Sequence, residues 1–131
     1  LLEPEALRLV AVSRPDRKAL APLRAALEDM AAANEAADGA AFMEANYRFR
    51  DAWTALVPNK RLVRAIQLYA DHVRYLRAFT LDTPAVRIIV LKGLRQLASA
   101  LAEGDGEAAA RAMRMHLGNA KRILLDMKEP N

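Results

Sequence analysis

The sequence predicts an all-α fold, an antiparallel bundle of about six helices, on three observations that agree with one another. Good helix formers such as Ala, Leu, Arg and Glu dominate the composition, whereas aromatic residues make up only 5%. Apolar residues recur at alternating three- and four-residue spacing. Pro and Gly cut that pattern into short stretches of helical length. With 53% hydrophobic and 27% charged residues, the chain has enough apolar surface for one folded core and no composition typical of disorder.

The first helix turns Leu2, Ala6, Leu9, Val10 and Ser13 to one side and ends near Arg14, because Pro15 disfavours helical geometry in the residue before it. Asp16 then caps a second helix carrying Leu20, Leu23, Leu27, Met30 and Asn34, with Gly39 expected at its C-terminal cap. A third helix over residues 40–56 shows Phe42, Ala45, Asn46, Phe49, Trp53 and Leu56 on one face. Pro58 and Asn59 precede a fourth, in which Leu62, Ile66, Tyr69, Val73, Leu76 and Thr80 align and His72 lies at the edge.

The fifth stretch, residues 86–101, is apolar on nearly all sides, as expected of a helix packed between neighbours. After the turn of Gly104 to Gly106, with Asp105 as cap, the sixth presents Ala109, Ala112, Met113, His116, Ala120, Ile123 and Met127. Asn46 and His116 are the polar anomalies on these inner faces. A lone inward histidine is either a hydrogen-bonded core residue or a ligand contact, and the spacing leaves both open.

Several function classes are excluded or disfavoured. There is no cysteine, which removes disulfides, thiolate metal sites and cysteine nucleophiles. No run approaches the roughly 18 apolar residues of a membrane span, and the start at Leu1 reads as helix and not as a signal peptide, so a cytoplasmic protein is expected. The absence of an initial Met suggests an upstream segment. The net charge of +4 arises from 20 basic and 16 acidic residues interspersed along the chain. That pattern describes solvated helix faces more than a nucleic-acid stripe, so DNA contact by this chain alone is not expected.

The segment from Ala40 to Trp53, AAFMEANYRFRDAW, resembles the third-helix signature of the FCD ligand-binding domain in the FadR subfamily of GntR-type transcription regulators. That signature is an acid, two variable residues, Phe and His, and here it reads Asn46, Tyr47, Arg48, Phe49, Arg50. Val57, Pro58 and Asn59, with Leu62 soon after, loosely resemble the family's turn before the fourth helix, and LASALAEGDGEAAARAMRMHL resembles its closing helical pair.

The resemblance covers almost the whole chain. It implies an effector-binding and dimerisation domain over residues 1–131, joined in full-length relatives to a winged helix-turn-helix domain that this chain does not contain. A homodimer, a small organic acid as effector and DNA contact only through that other domain follow from the same resemblance. The six-helix pattern is nearer the VanR-like branch than the seven-helix FadR type.

Many relatives hold a divalent metal with an Asp and a His on the third helix and one His on each of the fifth and sixth. The corresponding positions here are Asn46, Arg50, Leu94 and His116. An amide oxygen is a weak ligand, a guanidinium stays protonated and Leu has no lone pair, so neither a metal nor another cofactor is expected.

The same four positions line the effector cavity in metal-bearing relatives, and a guanidinium there offers a bidentate partner to a carboxylate. With no acid on the third helix's inner face, Arg50 is expected to await an external carboxylate, and its replacement by Met to leave stability little changed. Asn119 and His72 are further candidates for polar contacts with the effector. Two other classes stay in view: a dimerisation module whose site has decayed, and a small helical enzyme. The enzyme class is disfavoured because the acids face mainly outward and no nucleophile has an adjacent base.

Overall fold

The computed structural model describes residues 2–69 and 83–128, and every element among them is a helix, so the all-helical expectation is borne out. In chain order these are α1 (Leu2–Val12), α2 (Arg17–Glu35), α3 (Gly39–Ala55), α4 (described over 60–69), α5 (Pro84–Glu103) and α6 (Gly106–Lys128). His72, Val73, Leu76, Thr80 and the side chain of Met127 lie outside the described residues.

Caps set most boundaries. Asp16 accepts from the Ala19 N–H at 2.7 Å and Asp38 from that of Ala41 at 3.0 Å. Thr83 accepts from Val86 at 3.4 Å and Asp105 from Ala108 at 3.0 Å, each side chain satisfying a first-turn donor with no partner inside its helix. α5 ends with Gly104 at φ +70°, where the Asp105 N–H reaches back to the Ala100 carbonyl at 3.0 Å. Glycine adopts that left-handed conformation without a Cβ penalty.

α2 ends differently from the sequence expectation. Gly39 is the first residue of α3, because the Asp38 side chain caps the new helix there. The left-handed position falls instead on Ala37, at φ 55°, while the Asp38 N–H bonds the Ala33 carbonyl at 2.9 Å.

Packing joins α2 to α3, α1 to α6 and α6 to α5, and α5 also touches α1 and α2. α1 can lie close to the start of α6 because Gly106 has no side chain: a Cβ there would stand 2.9 Å from a Val12 methyl carbon and 3.0 Å from Cγ of Arg8. The core is led by Trp53, Phe42 and Phe49 from α3, with Leu7, Leu23, Met30, Ile66, Leu97 and Leu101. A link that helix periodicity does not reveal crosses it. Arg87 of α5, buried, donates through Nε to Oδ1 of Asn34 on α2 at 3.1 Å.

Three inner faces differ from expectation. On α1 the buried residues are Glu3, Pro4, Ala6, Leu7, Val10 and Ala11, with Leu2 exposed and Leu9 only part-buried. α1 is short and apolar on more than one side, so its neighbours choose which residues face inward. α5 does lie among other helices, yet Ile88 and Ile89 are 57% and 43% exposed, and its inward stripe runs through Arg87, Val90, Leu91, Leu94 and Leu97. On α4, Ile66 is buried but Tyr69 is 64% exposed and forms no part of the core.

Ala37 supplies a test of the turn. Replacing it with Gly removes the Cβ penalty of the left-handed conformation and is expected to stabilise the fold by about 0.5–1 kcal/mol, partly offset by the freer unfolded chain. The urea midpoint should rise with an unchanged slope.

Candidate functional site

Asn46, Phe49, Arg50 and Trp53 follow one another on α3 at spacings of three, one and three residues, so they share one helical face. Three of these side chains are buried; Arg50 retains 18% side-chain exposure. Opposite them stand Leu94 of α5 and Met113 and His116 of α6, and together with Glu3 of α1 and Tyr47 they enclose a cavity of about 20 Å³. That is room for about one water molecule.

Four of the expected site residues, Asn46, Arg50, Leu94 and His116, are therefore brought together from three helices. Asn119 is not among the lining residues. It is part-exposed, and its amide oxygen accepts a hydrogen bond from Arg122 one turn further along α6. His72 lies outside the described residues.

The electrostatics depart from the sequence expectation. Arg50 does not await an acid: its Nη2 forms an ion pair with Oε1 of Glu3, whose side chain is only 9% exposed. The acid comes from α1 and not from α3, so the pattern of the third helix alone does not reveal it. Its place on the stripe Glu3, Leu7, Val10 is a signal in the sequence, but an acid on an apolar face is ordinarily expected to point outward.

The pairing is a charge contact without hydrogen-bond alignment. Nη2 is buried and donates no hydrogen bond among the described residues. The guanidinium also lies over Trp53, 5.7 Å from the ring centroid, within reach of a cation–π interaction.

The donor set does not suit a metal. Around His116 the cavity presents an amide, a guanidinium already held by a carboxylate, and a leucine. Glu3 adds one oxygen donor from outside the four corresponding positions, but the Arg50 cation stands against it. Among the described residues no three His, Cys, Asp or Glu side chains gather where an ion could be held.

Because removing one member of a buried pair strands the other, Arg50→Met is expected to lower stability by about 3–5 kcal/mol, contrary to the near-neutral effect expected from the sequence. Glu3→Gln combined with Arg50→Met should recover part of that loss. Urea unfolding of the wild type, both single variants and the double variant reads the coupling directly, and additive effects would mean that the two groups do not interact.

No helix among the described residues is long and apolar enough to cross a membrane. No match was found among curated proteins. The family model described as FCD domain matches residues 1–119, which takes in every residue lining the cavity. The chain thus belongs to the FCD domain family, the C-terminal effector-binding and oligomerisation domain of GntR-type transcription regulators.

Proposed function

We propose that this chain senses a small organic acid and dimerises on behalf of a cytoplasmic transcription regulator of the FadR subfamily, VanR-like branch, with DNA contacted only by a separate winged helix-turn-helix domain. The carrying observation is the convergence of Asn46, Arg50, Leu94 and His116 from three helices on one cavity within the family match. In this reading Arg50 anchors the effector's carboxylate, Asn46 and His116 offer polar contacts, and Leu94, Phe49 and Trp53 shape the walls. Binding alters regulation only if it favours one arrangement of the helices over another.

A second reading, a dimerisation module with no effector, is supported by the small cavity and by the internal pairing of Arg50. A thermal-shift screen of carboxylates at millimolar concentration separates the two. Stabilisation by at least one acid is expected, and none would favour the second reading. Calorimetric titration of the stabilising acid into Arg50→Met should show affinity weaker by about 2–5 kcal/mol, whereas equal affinities would remove Arg50 as the anchor.

The dimer is supported by family membership and by apolar side chains that the described bundle leaves outside, Ile88 and Ile89 of α5 and Met115 and Leu125 of α6 among them. Sedimentation at high micromolar concentration is expected to give about twice the chain mass of 14.5 kDa, and a monomer alone would count against it.

A further inference from the structure

We propose that Glu3 is an internal occupant of the anion site on Arg50, and that a small carboxylate binds by exchanging with the Glu3 carboxylate. The inference rests on Arg50 as the anion anchor.

Three observations lead to it. The first is volume. With Glu3 in place the cavity measures about 20 Å³, enough for one water and too little for even a two-carbon acid. A ligand carboxylate on Arg50 and the Glu3 carboxylate therefore compete for the same space. The second is charge. Exchange replaces one carboxylate by another beside the same guanidinium, so the desolvated cation keeps a partner throughout.

The third is geometry. Glu3 is tethered to the first turn of α1 and meets Nη2 without an aligned hydrogen bond, leaving a buried donor unused. A free carboxylate can turn to face the guanidinium fork with both oxygens, a contact that Glu3 does not achieve here.

The position of Glu3 also gives it an exit. Leu2, which precedes it, is exposed although Pro4 after it is buried, and the first turn of a helix opens more readily than its middle. Expulsion of Glu3 releases α1 from α3 at that turn while the contacts of Leu7 and Val10 further along remain. Ligand entry is thereby coupled to the hold of α1, and the apparent affinity of the wild type is reduced by the fraction of molecules in which Glu3 occupies the site.

The test uses acetate, which corresponds to the atoms that Glu3→Ala removes beyond Cβ. The readout is the emission of Trp53, the single tryptophan of the chain, which lies beneath the guanidinium, together with the melting temperature. Against chloride at equal ionic strength, acetate should raise the melting temperature of Glu3→Ala and shift its Trp53 emission. Half-effect is expected at a concentration at least about tenfold below that needed by the wild type. The double variant Glu3→Ala/Arg50→Met should not respond.

Glu3→Gln keeps the side-chain volume and removes the charge, so it decides the matter if Glu3→Ala does not fold. It too should take acetate more tightly than the wild type. Equal responses in wild type and variant, or no response in a folded Glu3 variant, would overturn the proposal. Acids that fail on the wild type but bind Glu3→Ala would remove the effector function and leave the internal occupant standing. Acids that bind both equally would do the reverse.

Discussion

A guanidinium placed on the inner face of a helix needs a negative partner, because an unpaired cation taken out of water is strongly unfavourable. Arg50 stands on the same face of α3 as Phe49 and Trp53, and Glu3 of α1 supplies the charge. Much of the site follows from that requirement. It ties the first turn of α1 to α3, sets an acid on an otherwise apolar stripe, and makes Glu3 part of the lining of the cavity beside Asn46, Leu94 and His116.

The same solution recurs across the bundle in a milder form. Arg87 is buried on α5 and its Nε donates to Asn34 of α2, so a second inward cation is met by a polar group from another helix. In both cases a long side chain reaches across the seam between helices to a polar group of another helix. These cross-links act beside a core led by three aromatic residues of α3, which hold the walls of the cavity in fixed positions. Family membership and this arrangement meet at one point. The cavity lies within the stretch that matches the FCD domain, and its cation already has an internal partner.

Much of this architecture is legible in the sequence. The inner face of α3 reads correctly from Phe42 to Trp53 because its apolar residues are large and regularly spaced, and Asp16 and Asp105 identify their caps because Asp before a helical run has a specific task. Gly39 misleads because glycine marks helix ends in general, while here Asp38 starts the next helix one residue earlier and Ala37 takes the left-handed turn. Ile88, Ile89 and Tyr69 mislead because apolar character does not by itself mean burial. Many apolar side chains remain on protein surfaces, and only neighbours decide which.

The amino-acid sequence by itself determined the helical class, the order of the helices, the absence of thiol chemistry and the residue types at four cavity positions, all of which depend on local spacing and inventory. Tertiary structure alone decided that Glu3 faces inward, that it meets Arg50 from a distant part of the chain, and that so little space remains beside them. Periodicity along one helix carries no information about which residue of another helix will stand opposite. The partner of a buried charge is chosen by how the helices pack together.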